Sequence, residues 1–405
     1  MRLNPNKFAF TALIGALAAL PPLSIDMGLP ALGTLQSDLG ATAAEASGTL
    51  SLFLYGFAAG QLVMGPLSDR FGRRPVMLVG LAIYAIFGMA CALAWSPGWL
   101  LFFRLIEGVG ASGGSTLAMA IVRDLFSGQA GRIKMSAVSM VIVIAPIIAP
   151  AIGAVMLEFG EWRLIYVTLG LSGVALFAAA YFGLSETHPA DPGTRIDVIG
   201  RYLAVFGSRR TLGFALVNAA GSGALFAFIG TSSLVLMGQM GMSKFAFAIM
   251  FAMTSGGILL GSSLNNLFAR RAVAPWIPLA AGLCLAPLAS LAATGFLWAD
   301  IATPITFVPF VVLLGMSRGL IASNATHAAL EPVPLHAGAA SSLLGFAQVG
   351  SSGTAGVLVA LAFPRYGALA VTVSMLVYSL LALLAWRWVE TSHPAPHAEK
   401  GLGND

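Results

Sequence analysis

Gly65-Pro-Leu-Ser-Asp-Arg-Phe-Gly-Arg-Arg74 and Ser262-Ser-Leu-Asn-Asn-Leu-Phe-Ala-Arg-Arg271 are two versions of one stretch. Leu67, Phe71, Arg73 and Arg74 recur as Leu264, Phe268, Arg270 and Arg271, and Asp69 stands opposite Asn266. Each copy closes a long apolar run, Ser47–Leu67 in the first case and Phe245–Leu267 in the second. A degenerate repeat at one topological position implies that a larger unit was duplicated. A membrane-spanning helix needs about 20 mostly apolar residues. Around the first copy six such runs can be read: Phe8–Leu32, Ser47–Leu67, Pro75–Trp95, Trp99–Val122, Met135–Leu157 and Trp162–Leu184. Around the second lie six more: Thr211–Met237, Phe245–Leu267, Val273–Trp298, Ile301–Ala325, Ala337–Phe363 and Gly367–Trp388.

Composition agrees. Of 405 residues 58% are hydrophobic and only 9% charged, against about 25% charged in a soluble domain. So few charges cannot cover a water-exposed surface of this size, and most of the chain must be solvated by lipid. The expected fold is an all-α integral membrane protein of twelve helices in two pseudo-symmetric six-helix bundles. The expected division is 1–184 for the first bundle, 185–210 for a polar cytoplasmic linker, 211–389 for the second bundle and 390–405 for a disordered cytoplasmic tail. Arg2 and Lys7 before an apolar run mimic a signal peptide, but the run continues past Pro21 and Pro22 with no small-residue cleavage site, so it reads as the first span.

With the N-terminus in the cytoplasm, 16 of the 21 Lys and Arg residues fall on the cytoplasmic side. Only Arg163, Lys244 and Arg365 fall outside, and Arg104 and Arg318 lie within spans. This asymmetry is the positive-inside rule, which also accounts for the net charge of +5. No basic patch interleaved with aromatics points to nucleic acid. Trp95, Trp99, Trp162 and Trp298 are expected at the outer interface as belt residues. Cys91 and Cys284 sit in apolar runs with no disulfide or metal spacing and read as inert. His393 and His397 in the tail read as solvated rather than metal-binding.

Gly65–Arg74 resembles the G-x-L-S/A-D-R-x-G-R-R/K signature of the major facilitator superfamily, complete and in the loop where that family carries it. The resemblance implies a part in the conformational switch for Gly65, Asp69, Arg70, Gly72, Arg73 and Arg74. From the residues alone, the glycines permit close packing or a positive φ, and Asp69 can pair with a neighbouring cation or cap a helix N-terminus. The arginines also serve topology. Further stretches are similar to the Bcr/CflA group of drug-resistance (multidrug efflux) transporters: Leu23-Ser-Ile-Asp-Met-Gly-Leu-Pro-Ala31, Gly60-Gln61, Arg104-Leu-Ile-Glu-Gly-Val-Gly-Ala111, Ala145-Pro-Ile-Ile-Ala-Pro-Ala-Ile-Gly153, Trp162-Arg163 and Ala337-Gly-Ala-Ala-Ser-Ser342. Glu107 stands where that group usually has glutamine, so no role is carried over to it. Pro146, Pro150 and Gly153 match the antiporter motif of the fifth span, where a bend and small side chains favour close helix contacts. The resemblance covers nearly the whole chain, more densely in its first half. It implies proton-coupled export of drugs or similar solutes across a bacterial inner membrane.

Four ionisable residues lie inside spans: Asp26, Arg104, Glu107 and Arg318. A charge at the bilayer centre costs at least ~3 kcal/mol, so such residues face a cavity or a partner. Asp26 reads as about six residues, roughly 9 Å, from the outer end of the first span, and Glu107 as about eight residues, roughly 12 Å, into the fourth from the same side. Arg104 and Glu107 are spaced i, i+3 and can meet on one face. A carboxylate held out of water takes up a proton more readily. Asp26 is thus the first candidate proton carrier, the alternative being a helix-end carboxylate hydrated from outside. Glu107 is either a second carrier or the structural partner of Arg104. Arg318 either attracts anionic substrates or snorkels toward the cytoplasm. Tyr55, Gln61 and Asn218 are weaker candidates for a substrate cavity, whose aromatic and Met-rich walls would suit apolar solutes.

The expected function is drug/proton antiport by alternating access, with a dedicated exporter of a sugar, nucleoside or amino acid as the alternative. Expected partners are a small, amphiphilic drug-like solute, protons and lipid. The proton gradient is the driving force, with no cofactor and no metal, and the monomer is the expected state because each chain supplies both halves. No nucleophile–base pair, metal cluster, Walker loop or cofactor fingerprint points to an enzyme. The frame itself runs in either direction, so only the fifth-span motif and the group resemblance point outward.

Overall fold

The structure, a computed structural model, describes residues 3–188, 198–334 and 337–391. His393, His397 and the tail after residue 391 lie outside the described residues, as does the centre of the linker. The fold is all-helical, with α1 at Phe8–Asp26, α2 at Leu32–Leu39, α3 at Ala43–Phe71, α4 at Arg73–Ala92, α5 at Pro97–Leu125, α6 at Gly128–Phe159 and α7 at Trp162–Gly183. After the linker follow α8 at Val198–Phe206, α9 at Arg209–Ile229, α10 at Lys244–Arg270, α11 at Trp276–Trp298, α12 at Pro304–Leu330, α13 at Ala337–Tyr366 and α14 at Ala368–Glu390. Among the described residues twelve units are long and apolar enough to span a membrane, six on each side of α8; the first is Phe8–Leu39 and the seventh Arg209–Gln239.

The duplication is written into the helix contacts. In the first half α3 packs on α5 through Gly56 and Gly108, where an added Cβ would collide with the carbonyl oxygens of Leu105 and Phe53. In the second half α10 packs on α12 through Gly257 and Gly315, where a Cβ would collide with Val312 and Thr254. Without hydrophobic driving force between helices in lipid, such backbone-to-backbone approach supplies the van der Waals energy of association. Helix starts correspond as well. Thr42 caps α3 and Ser243 caps α10, each side chain accepting from the backbone N–H three residues on. From cap to glycine contact the two halves are displaced by 201 positions (42 to 243, 56 to 257). The loop motif repeats at 197 (65 to 262). The difference of four residues is about one helical turn, so the loop motif of the second half falls a turn earlier relative to its glycine contact.

Three expectations need correction. The first span does not end near Leu32. Pro21 and Pro22 lie within α1, which stops at Asp26; a single 3-10 turn, Leu29–Ala31, then leads into α2. Proline removes a ladder donor and crowds the preceding turn, yet the chain returns to a helix at Leu32. Asp26 therefore lies thirteen residues, about 20 Å, from the end of the unit, deeper than the sequence implied. Trp162 is not a belt residue. It is 1% exposed, its indole N–H donates to Asp38 at 2.9 Å, and Arg163 lies over its ring while pairing with Asp38. Trp95, Trp99 and Trp298 are exposed as expected. The linker is not simply polar: α8 buries Val205 against Val333, Ala340 and Leu343, and the Tyr202 hydroxyl donates to the Leu62 carbonyl at 3.2 Å. Its apolar residues pack on the second half, and the Tyr202 hydroxyl ties it to the first.

Candidate functional site

α5 presents Arg104 and Glu107 on one face, toward α1, α3, α4 and α7. Arg104 is 1% and Glu107 0% exposed, and Arg104 Nη1 donates to Glu107 Oε2 at 2.9 Å. The guanidinium also reaches two backbone carbonyls and an aromatic ring. Nη2 donates to the Ser24 carbonyl at 3.0 Å, Nε to the Thr49 carbonyl at 3.3 Å, and the group lies 4.3 Å over the Phe53 ring. Arg104 thus ties α5 to α1 and α3. The Cys91 thiol, read from sequence as inert, donates to Glu107 Oε2 at 3.4 Å. Glu107 Oε1 is buried without a partner. The Tyr84 hydroxyl meets Ser24 Oγ at 2.7 Å and completes the polar knot.

Asp26 is 4% exposed, and among the described residues no hydrogen bond or ion pair reaches it. It shares a half with the Arg104–Glu107 pair but makes no contact of that kind with it. It sits where α1 ends. Directly beyond, Gly153 of α6 packs so closely that a Cβ would collide with the Met27 carbonyl oxygen and lie 3.2 Å from the Pro30 ring. The antiporter-type residues and the helix break therefore meet. α6 runs unbroken through Pro146 and Pro150, and it turns Ala145, Ala149, Pro150, Gly153 and Ala154 inward.

In the other half Arg318 is 9% exposed with Nη1 buried and unpartnered. It lies near the centre of α12. Asn218 Nδ2 donates to Gln348 Oε1 at 3.0 Å, leaving its Oδ1 buried and unpartnered. Tyr55 meets Thr354 at 3.0 Å, a contact between the halves.

The signature loop is an ion network. Asp69 accepts from Arg73 at 2.5 Å, and Arg73 Nε donates to Asp124 at the end of α5 at 3.0 Å. Asp69 does not cap a helix. That task falls to Glu186, which sequence reading passed over: its two carboxylate oxygens accept from the Arg73 and Arg74 backbone N–H groups at 2.9 and 3.1 Å. These are the first N–H groups of α4, where a negative charge is favoured. Gly72 allows the sharp entry with φ +95°. Arg74 reaches the Tyr181 carbonyl at 2.6 Å, and Arg70 lies over the Phe71 ring.

Between the halves, at the end of the bundle that carries the linker, lies a cavity of about 300 Å³. Gln61, Gly65, Asp69, Thr116, Tyr202 and Ser342 are among its lining residues. Gln61 Oε1 and Thr116 Oγ1 are buried there without partners. At the opposite end the halves touch: Lys244 pairs with Glu158 at 3.1 Å, and a Cβ on Gly356 would lie 2.5 Å from Ser51 Oγ. Among the described residues no group of three or more His, Cys, Asp or Glu could hold a metal.

Residues 14–357 match the Major Facilitator Superfamily. The chain belongs to that superfamily. It is 30% identical over 366 residues to a bicyclomycin resistance protein homolog of Haemophilus influenzae, covering 89% of this chain and 91% of that protein. It is 33% identical over 347 residues to the multidrug resistance protein MdtL of Escherichia coli O45:K1, covering 83% and 85%. These relatives bear out the resemblance to the Bcr/CflA-type group. Among solved structures it is similar to a bacterial homologue of the human lysosomal transporter Spinster in an inward-facing, unoccupied conformation. The TM-score is 0.73 at 18% identity, covering 96% of this chain and 97% of that one, and this likeness speaks to the fold. As a member of the superfamily the chain is a transporter of small molecules rather than an enzyme, and a multi-pass protein of the bacterial inner membrane.

Proposed function

We propose that this transporter exports small amphiphilic solutes, drugs among them, in exchange for protons, with Asp26 as the proton carrier. The observation that carries the reading is a buried carboxylate with no described partner, placed at the break in α1 beside the Met27 that packs on Gly153 of α6. An intramembrane carboxylate of this kind is a functional group by default. A break at Met27 and Gly28 lets its hydration change when α1 and α6 shift. Glu107 serves as fixed counter-ion to Arg104 rather than as a second carrier, since its Oε2 already receives two donors. The twelve spans act as two six-helix units, 1–184 and 211–389, joined by 185–210. The linker end faces the cytoplasm, where the basic loops belong. The cavity at that end and the contacts at the other describe a state that admits solute from inside. Asp69, Arg70, Arg73 and Arg74, with Gly65 and Gly72, hold α3, α4 and α5 as one body during the switch. A single chain suffices, and the proton gradient supplies the energy.

Growth of a pump-deficient bacterium on a panel of antimicrobials tests this. Cells expressing the native chain survive raised concentrations, and cells with equal amounts of membrane-inserted Asp26→Asn do not. Equal protection by the variant would remove Asp26 from the mechanism. Protection by neither would favour the dedicated metabolite exporter.

A further inference from the structure

Away from their ends, the spans of the second half hold one charge, Arg318, and no carboxylate to neutralise it. Between Arg209 and Glu390 the only acidic residues are Asp300 and Glu331. Asp300 lies in the turn between α11 and α12, and Glu331 follows the last residue of α12 and pairs with Arg210 at 2.8 Å. Glu331 is thirteen residues, about 20 Å along a helix, from Arg318. Of the two carboxylates inside the first half, Glu107 is taken by Arg104 and Asp26 pairs with nothing described. Arg318 is nevertheless nine-tenths buried, with Nη1 lacking any partner.

Its direction follows from the contacts of α12. Gly315 and Gly319 carry the packing on α10, while Ser317, Leu320 and Ile321 carry that on α11, Ile321 also meeting Gly221 of α9. At 100° per residue Arg318 falls between the α10 face and the α9 face, away from lipid. On α9, one turn before Gly221, Asn218 offers the unmatched acceptor Oδ1. An unmatched cationic donor and an unmatched acceptor on neighbouring helices are both costly unless something else fills them. A guanidinium fork matches a carboxylate in two parallel hydrogen bonds.

We propose that Arg318 recognises a carboxylate on the transported solute, so that the preferred substrates are small amphiphilic carboxylates, with Asn218 accepting from a neighbouring N–H or O–H of the same molecule. This rests on the export reading for its setting, but it concerns binding and needs no proton gradient. It divides the two tasks: Asp26 exchanges the proton and Arg318 holds the solute.

The test is thermal unfolding of the purified full-length protein in detergent at constant chloride. The probes are benzoate, 4-phenylbutyrate and decanoate, each beside its neutral amide. Members of the carboxylate set should raise the midpoint by several degrees and their amides should not. Arg318→Met should abolish the shift, Arg318→Lys should keep part of it, and Asp26→Asn should keep it whole. Arg318→Met should also leave the empty protein at least as stable as native, because it removes an unpaired charge. Four results would overturn the proposal: no carboxylate shifts the midpoint, amides shift it equally, added chloride or sulfate does as much as the organic anions, or Arg318→Met retains the shift. A marked loss of stability in empty Arg318→Met would mean a structural partner and count equally against it. Drug protection lost in Asp26→Asn while carboxylate binding persists separates this result from the fate of the export reading.

Discussion

The Arg104–Glu107 pair gives the sharpest stability prediction. Both groups are at most 1% exposed and their nearest atoms are 2.9 Å apart. At an effective dielectric of about 20, two unit charges at that distance attract by about 6 kcal/mol. Much of this is offset by taking both ions out of water, so the pair adds little over an apolar pair of equal volume. Removing one partner is different, because it strands the other charge at a cost of about 3–5 kcal/mol. Glu107→Leu alone and Arg104→Met alone should each lower stability by about that amount. The double variant Arg104→Met/Glu107→Leu should lose less than either single variant, so that the two single losses together exceed the loss of the double by about 5 kcal/mol or more. Recovery will be incomplete because Arg104 also donates to Ser24 and Thr49. The assay is thermal or denaturant unfolding of all four proteins in one detergent. Additive losses in the double variant would refute the pairing and return Glu107 to the list of proton carriers.

Three further outcomes are expected. Gly153→Val should insert into the membrane but lose most transport, because its Cβ collides with the Met27 carbonyl; transport at the native rate would show that α6 does not need to approach the break in α1. Ser51→Cys/Gly356→Cys should form a disulfide on oxidation, since a Cβ at 356 would stand 3.8 Å from that of Ser51. Transport should stop and return with reductant, whereas continued transport by the cross-linked form would mean that this end of the bundle does not open. Glu186→Ala should cost about 1 kcal/mol by leaving the first N–H groups of α4 uncapped, read as a lower unfolding midpoint; an unchanged midpoint would dismiss the cap.

The twelve spans and the duplication were legible because lipid imposes a simple rule on composition, and because Gly65–Arg74 and its copy near Arg271 mark equal places in each half. The i, i+3 spacing likewise foretold the Arg104–Glu107 contact. Other features depended on tertiary partners that spacing does not encode. Trp162 reads as an interfacial indole until Asp38, more than a hundred residues away, is brought beneath it. Cys91 reads as an apolar helix residue until α4 is laid against Glu107. Glu186 looked like one more linker charge, though its place three residues beyond the seventh helix lets it reach the start of α4. The depth of Asp26 was misjudged because the first apolar run reads as ending at Leu32, whereas the chain turns once and continues helically to Leu39. The four-residue offset between the glycine contacts and the loop repeat could not be found from the loop motif alone.

Proton release upon solute addition tests the central claim most directly. The protein is reconstituted in liposomes holding a pH-sensitive dye, and an exported antimicrobial is added on the side of the linker cavity. Native protein should move protons against solute, with a dye signal that vanishes when solute is omitted. Asp26→Asn should bind the same solute yet move no protons. Proton movement by Asp26→Asn equal to that of the native protein would contradict the assignment of the carrier.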